Sequence, residues 1–268
     1  MIKRHRVSPG SKFRIAQVDA GSTAGWKGGK GATAEVFARL SRRLELLQGR
    51  LWAEHRRKVL VVLQGMDTSG KDGTISHVLE AVNPLGVRVA AWKAPTEEER
   101  DHDFLWRVHP KVPGRGELVI FNRSHYEDVL AARVRKLVPP EAWKARYTQI
   151  NDFERLLVET DTTILKFFLH IDAEEQKKRL QERLDDPAKR WKFRTDDLAD
   201  RKLWSSYMKA YEDAITLTGT GPAPWHVVPA NKKWYRNLVV ASILVRTLER
   251  LHLRNPEPKE DLTGIVIE

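Results

Sequence analysis

Apolar and polar positions along the chain follow two periodicities. Continuous apolar runs of four to eight residues are typical of strands in a parallel sheet, because both faces of such strands are covered. Residues 59–63 form such a run, and similar strands are predicted at residues 87–92, 118–121, 164–171 and 225–228. Between most of them, apolar positions recur every three or four residues, as on one face of a helix. This alternation predicts a doubly wound α/β sheet.

Three helices are well marked between these runs. Val36, Leu40, Leu44, Leu47 and Leu51 predict a helix that reaches about residue 55. A second helix is predicted by the apolar positions of residues 143–157, and a third by the carboxylates at residues 172 and 175, which are spaced as at a capped helix start. We read these helices as scaffold.

The chain divides into three parts by composition. Residues 1–31 are rich in Gly, Ser and Lys, which predicts a flexible basic N-terminal arm. Residues 32–254 form the predicted catalytic domain, and within it a basic segment broken by proline predicts a helical lid at about 183–200. Residues 255–268 have the polar, proline-containing character of a poorly ordered C-terminal tail.

Composition narrows the function. Lys and Arg exceed Asp and Glu by 11, so the surface should attract a polyanion, whether nucleic acid, an anionic membrane or an inorganic phosphate polymer. The chain has no cysteine, which excludes disulfides and thiolate chemistry and suits a reducing cytoplasm. No apolar stretch approaches the ~20 residues needed to cross a bilayer, and the N-terminus lacks the pattern of a secretory signal. We therefore expect a cytoplasmic protein with no membrane partner.

A phosphate-binding loop follows the first predicted strand directly. Two glycines and a lysine stand at P-loop spacing, where backbone N–H groups and a helix N-terminus face a phosphate and the lysine adds a point charge. The candidate phosphate-binding residues of the loop are Gly65, Thr68, Ser69, Gly70, Lys71 and Asp72. Asp72 occupies the position of the usual Ser or Thr, so the common hydroxyl ligand for magnesium is absent there.

Asp67 lies inside the same loop. An unpaired carboxylate at this position would repel the phosphates that the loop attracts, whereas a bridging Mg²⁺ would reverse that effect. The alternative is that Asp67 caps amides of its own loop.

A second polar segment follows the third predicted strand, at the sheet edge where α/β proteins bind ligands. It contains Asn122, Arg123, Glu127 and Asp128. Together with the phosphate loop, residues 102–107 and the segment 187–193, it resembles the polyphosphate kinase 2 family over roughly residues 35–250. Many members carry Asp-Arg-Ser where this chain has Asn122-Arg123-Ser124, a variant similar to the subgroup that acts on nucleoside mono- and diphosphates.

The resemblance implies a P-loop kinase-like, three-layer α/β/α fold with a mostly parallel five-stranded sheet and a helical lid. It also implies a catalytic set of Asp67, Lys71, Arg123 and Asp128. Since Asn122 replaces a carboxylate, Asp128 becomes the candidate to join Asp67 around Mg²⁺, with Mn²⁺ as an alternative metal. Asn122 and Glu127 are assigned to phosphate or nucleotide binding.

The resemblance further implies a path for polyphosphate. Its candidate residues are Lys93, Arg107, Arg123, Arg183, Lys189, Arg190, Lys192 and Arg194. Alternative readings are a structural ion pair for Arg123, a snorkelling surface role for Lys93 and plain solvated charge for any single lid cation.

The expected activity is Mg²⁺-dependent, reversible transfer of the terminal phosphate of inorganic polyphosphate to AMP or ADP, with ATP also among the nucleotide ligands, by a homodimer or homotetramer. A conventional ATP-dependent nucleotide kinase would use the same loop, lid and sheet. A basic nucleic-acid-binding module is a further alternative, but the sequence has no interleaved aromatic platform for stacking bases, so no nucleic-acid partner is expected.

Overall fold

A five-stranded parallel sheet forms the centre of the structure, a computed structural model that describes residues 2–267. The strands are β1 (Lys58–Gln64), β2 (Val87–Ala91), β3 (Leu118–Asn122), β4 (Thr162–His170) and β5 (Trp225–Pro229). Their order across the sheet is β2-β3-β1-β4-β5, and all four neighbouring pairs are parallel. The five predicted strands are confirmed, and the sheet is wholly parallel where the prediction allowed a mixture.

Helices connect the strands on both faces of the sheet. They are α1 (Ile2–His5), α2 (Thr33–Glu54), α3 (Lys71–Val78), α4 (Glu97–Asp101), α5 (Ala131–Val134), α6 (Pro140–Glu159), α7 (Ala173–Asp185), α8 (Thr195–Lys202), α9 (Trp204–Thr218) and α10 (Lys233–Arg250). One apolar layer packs α2 and α10 against the sheet, and the other packs α6 and α9 against its opposite face. The three-layer α/β/α fold is thereby confirmed.

Local sequence signals explain how several of these helices begin and end. The Asp172 carboxylate accepts a hydrogen bond from the Glu175 N–H at 2.8 Å and so caps α7 as predicted. Thr96 and Glu99 form a reciprocal capping box at the start of α4. Helix α2 ends at Glu54 and is followed by His55, whose φ of 50° turns the chain toward β1.

The N-terminal segment packs against the sheet more closely than a flexible arm would. Val7 N–H donates to the Trp225 carbonyl at 2.9 Å, which covers the free edge of β5. Buried His5 contacts the Val227 carbonyl and the Tyr235 hydroxyl, each at 3.1 Å. Burial of apolar groups such as Phe13 explains this order, which the glycine-rich composition of the segment concealed. The division into arm, domain and tail stays a prediction.

No helix within residues 2–267 is long and apolar enough to span a bilayer.

Candidate active site

The phosphate loop connects β1 to α3 at the carboxyl edge of the sheet. Gly65 has a φ of 154°, and a Cβ there would lie 2.7 Å from both the Leu169 carbonyl oxygen and Ser69 Oγ, so the turn requires glycine. Thr68 Oγ1 and Ser69 Oγ are buried without a hydrogen-bond partner. Buried hydroxyls without partners are costly, and a phosphate in the loop would satisfy them. The loop therefore has the chemistry of a phosphate cradle.

Lys71 lies within this loop as the spacing predicts. Its Nζ donates to the Gly65 carbonyl at 2.7 Å and the Met66 carbonyl at 3.2 Å. Burial, together with the positive charge of Arg123, lowers the pKa of Lys71 to about 8. A bound phosphate would oppose both effects and favour the ammonium form.

Asp67 and Arg123 form an ion pair across the site, so two of the predicted catalytic residues are in direct contact. Burial alone would raise the pKa of Asp67, but the charges of Arg123, Lys71 and Arg183 together lower it below its ordinary value. The alternative interpretation of Arg123 was a structural ion pair, and the contact with Asp67 is such a pair. Because Arg123 is about one-third exposed, it can still face a ligand.

The turn after β3 carries the remaining predicted groups. Its residues His125–Asp128 form one 3₁₀ turn, capped by Ser124 Oγ, which accepts from the Tyr126 N–H at 3.1 Å. Arg123, which precedes the turn, has a φ of 65° and lies 3.6 Å from the Glu127 carboxylate. We call residues 123–128 the catalytic turn. Asn122 Nδ2 donates to Asp72 at 2.7 Å and so connects the end of β3 to the start of α3.

Asp128 lies near two arginines that do not contact Asp67. Its carboxylate lies 3.2 Å from Arg146 and 3.9 Å from Arg107. Burial nevertheless raises the pKa of Asp128 above its ordinary value, in spite of both arginines. Arg107, predicted on the polyphosphate path, is buried and also pairs with Glu99 at 3.2 Å, so most of its charge is already balanced.

A buried hydrogen-bond network holds the catalytic turn from behind. Lys166, in the middle of β4, and Glu154, on α6, form an ion pair in which both side chains are almost completely buried. The Tyr126 hydroxyl donates to Glu154 at 2.7 Å, and Lys166 Nζ donates to the Tyr126 oxygen at 3.0 Å. Lys166 Nζ also donates to the Thr218 carbonyl at 2.7 Å. The network therefore fixes Tyr126 between the predicted catalytic groups Arg123 and Asp128.

The predicted lid contributes a carboxylate that the sequence analysis did not select. Asp197 on α8 is buried, lies 3.3 Å from Arg183, and can hydrogen-bond to Asp67 when protonated. Burial and the negative charge of Asp67 raise the pKa of Asp197 to about 6. Asp67 and Asp197 thus form an acidic pair between the phosphate loop and the lid, and nothing in the sequence pattern marks this contact.

The other lid cations and Lys93 lie at the surface. Lys189 pairs with Asp186 at 2.5 Å, and Arg194 lies 3.5 Å from Asp196. Arg190 donates to the Leu184 carbonyl at 2.7 Å, and Lys192 lies over the Trp191 ring. The side chains of these five residues are exposed to solvent. Their role in polyphosphate binding stays a prediction.

The site offers carboxylate oxygens as possible ligands for a metal ion. Within the part of the chain described, no three His, Asp or Glu side chains cluster as a complete ligand set. The two carboxylates at Asp67 and Asp197 do fit Mg²⁺, which commonly binds one or two protein carboxylates and completes its shell with phosphate oxygens and water. The predicted partner of Asp67, Asp128, stays a prediction.

A phosphate loop after the central strand of a parallel sheet, with strand order 2-3-1-4-5, is the arrangement of a P-loop kinase-type phosphotransferase. The model of the polyphosphate kinase 2 family matches residues 27–256. The chain belongs to the polyphosphate kinase 2 family.

Relatives of known name cover nearly the whole chain. An AMP/ADP-polyphosphate phosphotransferase of Meiothermus ruber is 57% identical over 267 residues, covering 100% of both chains. An ADP-polyphosphate phosphotransferase of Rhodopseudomonas palustris is 42% identical over 227 residues, covering 80% of this chain and 78% of that protein. The crystal structure of polyphosphate kinase 2 from Arthrobacter aurescens TC1 superposes with a TM-score of 0.94 at 46% identity, covering 98% of this chain and 93% of that one.

Proposed function

We propose that this chain moves the terminal phosphate of inorganic polyphosphate to AMP or ADP, with Mg²⁺ as its metal. The family assignment carries the reaction class, and the observation that carries the site is the arrangement of Lys71, Arg123 and Asp67 around a loop with unpartnered buried hydroxyls. The same residues would serve the reverse reaction, since both directions share one transition state.

The geometry suits phosphoryl transfer without a general base. The acceptor phosphate of AMP or ADP is largely ionised at pH 7, because its second pKa is ~6. The barrier arises from bringing anions together in line, and it is lowered by positioning and by positive charge at the equatorial oxygens. Lys71 and Arg123 supply that charge from two sides of the site. His125 is buried, with its Nε2 3.5 Å from the Glu154 carboxylate, and the proposed reaction does not use it as a base.

The acidic residues have a separate task. Asp67 and Asp197, or Asp67 and Asp128 as the family resemblance implies, would hold Mg²⁺ or Mn²⁺ beside the transferred phosphate. The metal would supply charge neutralisation for phosphate oxygens when bound. Each carboxylate also has an arginine beside it, since Arg123 pairs with Asp67 and Arg183 lies 3.3 Å from Asp197.

The donor site should extend along the lid. Polyphosphate has no base to recognise, so its affinity should come from many phosphate contacts and fall steeply with salt. Arg183 at the mouth of the phosphate loop and the exposed cations at 189–194 offer such a path, and the net charge of +11 favours it. We also propose a cytoplasmic location and a homo-oligomer.

A direct test is transfer in the absence of ATP. The purified chain is incubated with Mg²⁺, long-chain polyphosphate and either AMP or ADP, and nucleotides are separated by chromatography. Formation of ADP or ATP supports the proposal and identifies the acceptor. Transfer between ATP and AMP, without use of polyphosphate, would instead assign a conventional nucleotide kinase.

A further inference from the structure

Two buried arginines from distant helices donate hydrogen bonds to carbonyl groups of the phosphate loop. Arg179 on α7 is 5% exposed and donates to the Thr68 carbonyl at 2.9 Å. Arg236 on α10 is 2% exposed and donates to the Ser69 carbonyl at 3.2 Å. The Ser69 N–H is already used within the loop, where it donates to the Met66 carbonyl at 3.0 Å. In the next peptide group, the Gly70 N–H points away from the Ser69 carbonyl that Arg236 holds, because the two groups of a trans peptide lie on opposite sides.

The two arginines differ in how their charge is balanced. Arg179 forms an ion pair with Glu175 at 2.7 Å. Arg236 directs its fork at a neutral amide, the Asn237 Oδ1, at 3.0 and 2.9 Å, and within residues 2–267 it has no carboxylate at ion-pair distance. Burial, with the nearby charge of Arg179, lowers the pKa of Arg236 to about 10, so the guanidinium remains protonated at neutral pH. A buried cation without a counter-charge is costly to a folded protein.

The loop is shaped to admit this arginine. Gly70 has a φ of 97°, and a Cβ there would lie 1.7 Å from Arg236 Nη1. Two features therefore require glycine at position 70: the positive φ of its backbone and the close approach of the Arg236 guanidinium. Arg236 lies directly behind the residue that precedes Lys71.

We propose that Arg236 is a positioning residue for phosphate binding, which fixes the Ser69 carbonyl and adds a positive charge that the bound phosphate neutralises. This inference rests on the proposal that the phosphate loop binds the donor or acceptor phosphate. It extends that proposal to a residue on α10, far from the loop in sequence, that touches no substrate.

The test compares ligand-induced stabilisation in the intact chain. Inorganic triphosphate with Mg²⁺ is the probe, and the thermal midpoint of each variant is compared with its own midpoint without triphosphate, which removes any effect on folding itself. The variants are Arg236→Met, Arg236→Lys and, as the matched control, Arg246→Met, which alters an exposed arginine on the same helix. The Michaelis constant for polyphosphate and kcat are measured on the same proteins.

Arg236→Met is expected to lose more than half of the triphosphate-induced shift and to raise KM for polyphosphate about tenfold, with a smaller change in kcat. Arg236→Lys, which retains the charge without the fork, should recover part of the shift, and Arg246→Met should behave as wild type. An Arg236→Met protein with an unchanged shift and KM would overturn the inference, even if it melts earlier. So would an Arg236→Lys protein whose shift and KM are no closer to wild type than those of Arg236→Met.

Lys71→Met separates this inference from the proposal beneath it. If Lys71→Met retains the triphosphate shift, the loop is not the phosphate site and the proposed site is wrong. If Lys71→Met abolishes the shift while Arg236→Met preserves it, the loop assignment holds and the Arg236 inference alone fails.

Discussion

Replacement of Lys166 by methionine tests the buried network that supports the catalytic turn. In wild type, Lys166 and Glu154 are almost wholly buried and neutralise each other, and Glu154 also accepts the Tyr126 hydroxyl hydrogen bond. Lys166→Met keeps the side-chain length but leaves Glu154 as an unpaired carboxylate in the core. Removing one partner of a buried pair costs about 3–5 kcal/mol.

That cost converts to a measurable shift. Unfolding entropies of ~2.1 cal/mol/K per residue give about 0.56 kcal/mol/K for a chain of 268 residues. The midpoint of thermal unfolding should therefore fall by about 5–9 °C. The loss should shrink toward acidic pH, because an unpaired buried Glu154 escapes the penalty by taking up a proton.

A double-mutant cycle isolates the pair. Lys166→Met with Glu154→Gln removes both charges while the amide oxygen can still accept from Tyr126, so the double variant should regain at least about 2 kcal/mol of the loss. Lys177→Met, at an exposed position on α7, is the control and should change stability by less than about 0.5 kcal/mol. Urea denaturation gives each free energy. A cost below about 1 kcal/mol for Lys166→Met, or no coupling in the cycle, would refute the argument.

Three further predictions concern the site and the sheet. Asp67→Asn and Asp128→Asn should each reduce transfer from polyphosphate below about a tenth of wild type with unchanged circular dichroism, and higher activity in either variant would remove that residue from the metal site. Arg190→Glu with Lys192→Glu should raise KM for long polyphosphate more than KM for ADP, and equal changes in both would argue against a lid path. Burial lowers the pKa of His226 to about 4, so the folded state favours the neutral imidazole. The free energy of unfolding should therefore fall by about 3 kcal/mol as the pH falls from about 6.5 toward 4. A His226→Asn variant that loses as much stability over this range would contradict this cause.

The sheet and the phosphate loop could be predicted because their signals are local. Largely apolar runs mark the strands, and β1 is apolar from Val59 to Leu63. The glycines and lysine of the loop are set by backbone geometry within eight residues of chain. The polar segment after β3 could also be predicted as part of the site, since it follows a strand at the ligand-binding edge. The five-stranded parallel sheet confirms the predicted fold class.

The missed residues depend on contacts between distant elements. Asp197 meets Asp67 only because α8 lies over the loop, and Arg236 reaches Ser69 from a helix 167 residues further along the chain. Lys166 could have been recognised from the sequence, because it is a lysine inside the largely apolar strand β4. Glu154 also lies on the apolar face of α6, three residues from Leu157. Charged residues of opposite sign at two positions predicted to be buried indicate an ion pair.

The central claim is that Lys71 and Arg123 bring a polyphosphate end and a nucleotide phosphate together at the loop. The most direct measurement follows ADP and ATP formed from AMP and long-chain polyphosphate, with Mg²⁺ and without ATP, for wild type, Lys71→Met and Arg123→Met side by side. Wild type is expected to form product, and either variant is expected to form it at less than about a hundredth of that rate. Wild-type protein that forms no product, or variants that retain most of the activity, would contradict it.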